Sequence, residues 1–262
     1  MTYKTLRFEV EDAVARITLS RPDDANALDL AMAEELYDIA LRCDHGGEIR
    51  AVLLTGEGRM FCAGGDLKSF GNKGPEGPAL VSRMATVLHN ALVRFGQMDA
   101  PLVVAVNGSA AGAGFSMVLA GDYVIAAEEA KFLSAYTASG LSPDGGSTYH
   151  LAKHVGLLRA KELALTNRVL SAAEALDWGL VSRVVPAAAL AEESLAQAKR
   201  FAAGPTRAFG RTKQLLLRAY DEAYETQLEA ESRGIAAMIA TEDGQHGVAS
   251  FLAKEKPRYK GK

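Results

Sequence analysis

The sequence lacks several features that would assign it to a specialised class of protein. It has only two cysteines in 262 residues, so a disulfide framework is excluded and a reducing compartment is expected. It has no apolar run near the roughly 20 residues that a transmembrane helix needs. Its first residues, MTYKTLRFEVED, contain no apolar segment flanked by positive charge, which disfavours a secretory signal. We therefore expect a soluble cytoplasmic protein.

A large excess of charge of either sign is also missing. The formal net charge is −3, which disfavours a general nucleic-acid binder. Hydrophobic residues make up 48% of the chain and charged residues 23%, a mixture typical of soluble globular proteins. A chain of this length and composition can bury a large hydrophobic core.

Strand and helix patterns alternate through about residue 185, and helical patterns fill the remainder. Alternating apolar and polar residues predict a β-hairpin over Leu6–Glu11 and Val14–Ser20. Glycine and proline predict a loose loop at Gly71–Pro78, followed by a helix from about Leu80 to Phe95. These patterns predict an α/β fold.

Three glycine-rich turns each follow a predicted strand. They lie within Ala51–Phe70, Leu102–Gly121 and Lys131–His154. Small residues allow backbone N–H groups to approach an anionic atom, particularly where a helix begins. The second turn lacks the lysine of a phosphate-binding loop, and its G-x-x-x-G-x-G spacing does not match a dinucleotide site. If the turns converge, they predict a site lined by main-chain amides.

Six segments together resemble the crotonase (enoyl-CoA hydratase/isomerase) superfamily. They are LSRPDDANALD near the N-terminus, FCAGGDL at Phe61–Leu67, AVNGSAAGAG at Ala105–Gly114, GLSPDGG at Gly140–Gly146, ALDWGLVSRVV at Ala175–Val185 and the C-terminal SFLAKEKPRYKG. The resemblance implies a spiral of ββα units over residues 1–190 and a helical trimerisation region over 191–262 that forms part of the CoA pocket. It also implies an acyl-CoA thioester substrate, a homotrimer or hexamer, and no metal or separate cofactor, nucleic acid or membrane partner.

Two backbone N–H groups hold the thioester oxygen in this family. The resemblance maps them onto Ala63 and Ala113, and it places Gly112 in the substrate site. Preorganised N–H donors stabilise the enolate oxygen, and one such donor typically contributes about 3–4 kcal/mol. The alternative is that these small residues only allow a strand and a helix to pack closely, but the pair of turns favours an oxyanion hole.

The glutamates of the family's hydratases are absent from this sequence. The resemblance places those positions at Ser116 and Tyr136, which we still expect to contact substrate. Hydration needs one group that activates water and one that protonates carbon, and neither residue is a carboxylate. The sequence therefore disfavours a standard hydratase.

Asp144, in SPDGG, matches the acidic residue of isomerase-type members, including enoyl-CoA, dienoyl-CoA and ring-epoxide isomerases. One carboxylate can shift a double bond by taking a proton from one carbon and returning it to another. An apolar wall from Phe115, Tyr136 and Leu141 would strengthen this base. The alternative is that Asp144 only caps the following helix. We predict an acyl-CoA isomerase; an atypical hydratase, a thioester hydrolase and a non-catalytic acyl-CoA-binding protein are the alternatives.

The resemblance also implies contacts with CoA. The backbone around Ala25 and Ala27 matches the adenine-binding loop, and Lys68 matches a basic residue near the nucleotide. Phe251 and Lys254 match residues that a neighbouring subunit contributes to the acyl pocket and the adenosine phosphate. A lysine can serve a phosphate as a point charge, and the alternative for each lysine is a solvated surface charge.

Four other residues have chemistry to consider. His150 and His154 have the i, i+4 spacing of a zinc-ligand pair, but no third ligand is evident and structural histidines are favoured. Cys62 is predicted to pack as a small apolar residue. Trp178, the only tryptophan, is predicted to pack within ALDWGL, which disfavours the superfamily's aryl-CoA dehalogenase chemistry, where tryptophan and histidine accompany the aspartate.

Overall fold

A computed structural model describes residues 3–71 and 73–262. Its strands are β1 (Leu6–Glu11), β2 (Val14–Leu19), β3 (Ala51–Gly56), β4 (Met60–Cys62), β5 (Leu102–Val106), β6 (Ser109–Ala111), β7 (Tyr123–Ala127), β8 (Lys131–Leu133), β9 (Leu170–Ser171) and β10 (Arg183–Val185). Its helices are α1 (Leu30–His45), α2 (Leu67–Phe70), α3 (Gly77–Gln97), α4 (Ala113–Leu119), α5 (Ser147–Val155), α6 (Leu157–Thr166), α7 (Ala172–Asp177), α8 (Leu190–Ala202), α9 (Thr206–Arg218), α10 (Tyr224–Ile239) and α11 (Glu242–Ala253).

The strands form two sheets. The larger sheet has the order β1-β2-β3-β5-β7-β10, and only its first pair is antiparallel. The smaller sheet has the order β4-β6-β8-β9. The chain passes from the larger sheet to the smaller one in β3–β4, β5–β6 and β7–β8, and a helix follows each pair. These repeated units confirm the predicted α/β fold of ββα units with a helical C-terminal region.

Both faces of the larger sheet are buried. In β5, Val104 and Val106 face the main core, whereas Val103 and Ala105 pack in a second cluster with Ala198 of α8. A strand with two covered faces is apolar at every position, because successive side chains point to opposite sides. This double burial explains the continuous apolar run at Leu102–Val106.

Local sequence signals account for several element boundaries. Asp29 caps α1 by accepting a hydrogen bond from the Met32 N–H at 2.8 Å. Ser171 forms a capping box with Glu174 at the start of α7, as S-x-x-E predicts. The predicted β-hairpin is present, with β2 ending at Leu19.

The structure differs from the sequence prediction on either side of the predicted loose loop. The helix expected from Leu80 begins at Gly77, because Pro78 in the first turn has a φ suited to a helix start. Part of the predicted loop forms a short 3₁₀ turn at Gly74–Glu76, while Asn72 lies outside the described residues. The small residues Ser109–Ala111, interpreted only as a turn, form β6.

The C-terminal helices carry exposed apolar side chains. Large ones on this part of the described chain are Leu216, Tyr220, Tyr224, Leu228, Ile235, Ile239, Val248, Phe251 and Leu252. Among the described residues, no helix combines the length and apolar composition needed to cross a bilayer.

Candidate active site

The first two glycine-rich turns meet directly. A Cβ atom built on Gly64 would lie 3.4 Å from the Gly112 Cα and 3.5 Å from the Ala113 nitrogen. Gly64 has a φ of +101° and Gly112 a φ of +52° with ψ of −124°, backbone conformations that favour glycine. The glycines therefore allow both the contact and the strained backbone that the two turns require.

The first turn exposes a different N–H group from the one that the sequence predicted. The Ala63 N–H donates to the Ala25 carbonyl at 3.0 Å, so the prediction that it is free to hold a ligand oxygen is wrong. The parallel bridge between Leu28 and Gly65 uses the Gly64 carbonyl and the Asp66 N–H. The Gly65 N–H therefore points away from Leu28, and it has no acceptor among the described residues.

The second turn supplies another free donor. The Ala113 N–H begins α4 and likewise has no acceptor in the described part of the chain. Gly65, Gly112 and Ala113 all line one pocket of about 350 Å³. The pocket thus presents two free main-chain N–H groups, at Gly65 and Ala113.

The wall of this pocket is mostly apolar. Its apolar lining side chains are Leu28, Ala63, Leu67, Phe70, Val81, Met84, Ala85, Leu88, Ala113, Ala135 and Leu141. Tyr136 and Leu141 line it as predicted, but Phe115 is 2% exposed and packs against Phe132 in the core. Helix α3 provides the wall that Phe115 was expected to form, because its inward face follows the pocket for about two turns, from Val81 to Leu88.

Asp144 faces this pocket and is held by a short hydrogen bond. The Tyr136 hydroxyl donates to Asp144 Oδ1 at 2.6 Å. Burial, and then the nearby Asp144 charge, raise the pKa of Tyr136, so the tyrosine stays protonated as a donor. The side chain of Asp144 does not cap α5, whose N-cap is Gly146, so the capping alternative is excluded.

Ser116 lies behind Tyr136 and outside the pocket. Its hydroxyl is 2.9 Å from the Tyr136 hydroxyl and donates to the Asp144 carbonyl at 2.9 Å. The residue is 0% exposed and does not line the pocket, which corrects the expectation that it contacts substrate. Ser116 is covered because Gly145 packs closely against it, so that a Cβ added to Gly145 would lie only 2.7 Å from Ser116 Cβ.

His89 was not identified from the sequence. Its Nε2 accepts a hydrogen bond from the Gly145 N–H at 2.9 Å and lies 3.9 Å from Asp144 Oδ2. An acceptor nitrogen carries no proton, so this geometry is that of a neutral imidazole. The histidine reaches the turn from α3, and no local motif in the sequence indicates this contact.

The residues predicted to contact the CoA nucleotide lie beside an ion-pair cluster. Arg21 pairs with Asp24 at 2.9 Å, with Asp29 at 3.2 Å and with Asp66 at 3.1 Å. These pairs fix the loop that carries Ala25 and Ala27. Arg21 also donates to the Ala27 carbonyl at 2.6 Å.

Lys68 lies at the edge of this loop. Its side chain is 88% exposed, and its Nζ is 3.7 Å from Asp24 Oδ1. Phe251 and Lys254 do not line the pocket of their own chain, and Phe251 is 81% exposed. The predicted CoA contacts of all five residues, Ala25, Ala27, Lys68, Phe251 and Lys254, stay predictions.

The remaining candidates have structural roles. His150 and His154 stack with centroids 6.2 Å apart, and within residues 3–71 and 73–262 no group of three or more potential ligands forms a metal site. Burial raises the pKa of Cys62 to about 12, which makes its thiol unreactive. Trp178 packs beside the Arg159 and Arg168 guanidinium groups, at 4.5 and 5.2 Å from its ring centroid.

Solved structures share this fold over nearly the whole chain. An enoyl-CoA hydratase from Polaromonas sp. JS666 superposes with a TM-score of 0.92 at 34% identity, covering 97% of this chain and 99% of that one. The overall architecture is therefore that of the crotonase fold.

Similarity in amino-acid sequence identifies the family as well as the fold. The family model described as enoyl-CoA hydratase/isomerase matches residues 9–262. A "probable enoyl-CoA hydratase" of Rhodobacter capsulatus is 38% identical over 262 residues, covering 100% of both chains. The 1,2-epoxyphenylacetyl-CoA isomerase of Escherichia coli K12 is 39% identical over 255 residues, covering 97% of each chain. The chain belongs to the enoyl-CoA hydratase/isomerase family of the crotonase superfamily.

Proposed function

We propose that the protein is an acyl-CoA isomerase that uses Asp144 as its only acid/base carboxylate. The observation that carries this proposal is the position of Asp144 in an apolar pocket that also holds two free N–H groups, at Gly65 and Ala113. The substrate class is an enoyl-CoA or a ring-epoxide acyl-CoA. The relative from Escherichia coli, named for an epoxide isomerase, supports this choice.

The proposed mechanism needs one base and one oxyanion hole. Asp144 takes a proton from the carbon next to the thioester carbonyl, and the electron pair moves onto the carbonyl oxygen. The N–H groups of Gly65 and Ala113 donate to that oxygen and stabilise the enolate. The protonated Asp144 then returns the proton to the γ carbon, so an enoyl isomerisation is balanced without a second reactant.

A standard hydration is less well supported by the same pocket. Addition of water requires a group that activates the water and a donor that protonates the neighbouring carbon. The two positions predicted for the hydratase glutamates hold Ser116 and Tyr136, and both hydroxyls are hydrogen-bonded in the cluster with Asp144. Asp144 is the carboxylate that remains.

The test compares turnover of several acyl-CoA thioesters. Crotonyl-CoA, a 3-enoyl-CoA and an epoxyphenylacetyl-CoA analogue are assayed with the wild-type protein and with Asp144→Asn, while free thiol is monitored. We expect isomerisation of one of the last two compounds, and a loss of at least about 100-fold in kcat for Asp144→Asn, in the range of general acid–base catalysis. Asp177→Asn, which changes an exposed aspartate outside the pocket, is the matched control.

Each alternative activity has a distinct readout. Hydration of crotonyl-CoA at a rate above that of any isomerisation would identify an atypical hydratase, and release of free thiol would identify a thioester hydrolase. Binding of all compounds without product would identify a non-catalytic acyl-CoA-binding protein. Full activity of Asp144→Asn would contradict the proposed mechanism.

We further propose that the protein works as a homotrimer or hexamer with acyl-CoA bound near subunit boundaries. The exposed apolar side chains of α9, α10 and α11 support an interface between copies. Phe251 and Lys254 would then reach a neighbouring pocket. Sedimentation equilibrium tests the assembly, and a monomer at working concentration would contradict it.

A further inference from the structure

We propose that Tyr136 and Ser116 are positioning residues: Tyr136 occupies Asp144 Oδ1 and Ser116 supports Tyr136, which leaves Oδ2 as the oxygen that takes and returns the substrate proton. This inference rests on the proposed acid/base function of Asp144. It gives the two polar residues at the predicted glutamate positions a role in the reaction without making either of them a proton donor to substrate.

The contacts link the three residues into one chain of hydrogen bonds. Tyr136 Oη lies 2.6 Å from Asp144 Oδ1, a distance typical of a hydroxyl that donates to a carboxylate. Ser116 Oγ lies 2.9 Å from Tyr136 Oη and 2.9 Å from the Asp144 carbonyl oxygen. Because Ser116 has a single proton, it donates to one of these two oxygens at a time, and Tyr136 makes the hydrogen bond to the Asp144 side chain.

The direction of these hydrogen bonds follows from the number of protons. An ionised carboxylate only accepts, so the single hydroxyl proton of Tyr136 points to Asp144. The Ser116 proton can point to Tyr136 Oη, to the Asp144 carbonyl or to the Gly112 carbonyl at 3.3 Å. When Oδ2 gains the substrate proton, none of these bonds must break. The cluster is therefore satisfied in both protonation states of Asp144.

Ser116 has no access to a replacement partner from solvent. It is 0% exposed, and an unpaired buried hydroxyl is unfavourable. Its three oxygen neighbours belong to Gly112, Tyr136 and Asp144, so it connects the oxyanion turn to the acid/base residue. When the Ser116 proton points to Tyr136 Oη, Ser116 supports the hydroxyl that donates to Asp144.

Two titratable groups of the described chain face the Asp144 carboxylate within 4 Å. Tyr136 lies at Oδ1, and His89 Nε2 lies 3.9 Å from Oδ2. A hydrogen bond donated to a carboxylate favours its ionised form. Loss of the Tyr136 hydroxyl should therefore raise the pH at which Asp144 becomes ionised.

The experiment measures that titration directly, without the need for turnover. The infrared carboxylate band that disappears in Asp144→Asn identifies Asp144, and its titration midpoint is followed in the full-length protein. We expect Tyr136→Phe to raise the midpoint above that of the wild type, because a hydrogen bond that favours the ionised carboxylate is lost. Ser116→Ala should raise it by less, because Ser116 reaches the carboxylate side chain only through Tyr136.

Controls separate positioning from a general loss of structure. Tyr149→Phe removes a hydroxyl that donates to the Leu217 carbonyl at 2.7 Å, away from Asp144, and should leave the midpoint unchanged. Repeating Tyr136→Phe in a His89→Gln background removes any contribution from the titration of the imidazole. On a substrate that is turned over, the acid limb of kcat/KM should move in parallel with the infrared midpoint.

The outcomes distinguish this inference from the proposed function. An unchanged or lowered midpoint in folded Tyr136→Phe would overturn the inference, even if Asp144→Asn is inactive. Full turnover by Asp144→Asn would overturn the proposed function, whatever the midpoints are. If Tyr136→Phe does not fold, Ser116→Ala decides the matter, and an unchanged midpoint there overturns the inference.

Discussion

Gly114 packs directly against Cys62, where the two turns of the candidate oxyanion hole meet. A Cβ atom on residue 114 would lie 2.4 Å from the Cys62 carbonyl oxygen and 2.7 Å from Cys62 Cβ. Both Gly114 and Cys62 are buried in close-packed parts of the fold, so neither can move aside easily. The spacing between the Gly65 and Ala113 N–H groups thus depends on this contact.

We therefore expect Gly114→Ala to lose both stability and activity. Overpacking in a rigid core typically costs about 1–3 kcal/mol of the free energy of unfolding. The lower stability should appear as a lower Tm. Turnover of the folded variant should also fall, because the added methyl group forces the two turns apart. Gly96→Ala is the matched control, since nothing lies within 4 Å of its added Cβ. Gly96 lies within α3, so that change should raise the Tm slightly. Equal effects of the two variants would contradict this prediction.

A second prediction concerns the acceptor that holds the turn after Asp144. His89→Ala leaves the Gly145 N–H without its partner, which should lower stability by about 1 kcal/mol. It should also lower kcat/KM by about tenfold or more, because small displacements of a catalytic group reduce rates strongly.

Matched variants distinguish the hydrogen bond from other effects of changing α3. His89→Gln offers an amide oxygen as an acceptor and should recover part of the lost activity. Asn90→Ala changes the exposed neighbouring residue on the same helix and should leave the kinetics unchanged. Wild-type kinetics for His89→Ala, measured by steady-state assay, would rule out a positioning role for this histidine.

The sequence predicts the fold better than it predicts the donors of the site. The hairpin, the Asp29 cap and the Ser171 capping box follow from alternation and side-chain chemistry within a few residues. Local signals do not decide whether the Ala63 or the Gly65 N–H group is the free donor. Both N–H groups are equivalent in the letters FCAGGDL, and only the bridge between Leu28 and Gly65 decides which one is free.

The contacts around Asp144 show the same limit. Family resemblance indicated Ser116, Tyr136 and Asp144, but it could not show that the two hydroxyls turn towards the aspartate. The sequence does not predict the role of His89, because its contact with Gly145 depends on the rotation of α3 relative to a turn far along the chain. Phe115 was misplaced because a helical segment as apolar as α4 has no polar face to indicate its orientation.

A third prediction concerns the two thiols. Burial raises the pKa of Cys43 and that of Cys62 to about 12 each. Because the thiolate is the reactive form, neither should react quickly with a disulfide reagent such as DTNB at pH 8 in the native protein. Both should react in denaturant. A fast-reacting thiol in the native protein would contradict the burial of both cysteines. If neither cysteine reacts, any free thiol detected in a hydrolysis assay comes from released CoA.

The last prediction is a dependence of stability on pH that comes from His150. Burial, and then the neighbouring His154 and Lys153, lower the pKa of His150 from 6.5 to about 4. The unfolded chain therefore binds a proton below about pH 6.5 that the folded protein does not bind until about pH 4. Stability should fall as the pH decreases through this window, by at most about 3 kcal/mol and by less if the partly exposed ring is solvated.

His150→Gln should flatten this part of the stability curve. The measurement is the free energy of unfolding in urea at several pH values between 4 and 7, for the variant and the wild type. Because partial desolvation also lowers the pKa of His154, some slope should remain in the single variant. His45→Gln, which removes an exposed imidazole at the end of α1, is the control for the loss of one histidine. If His150→Gln retains the full wild-type slope between pH 6.5 and 4, His150 is not the source of that slope.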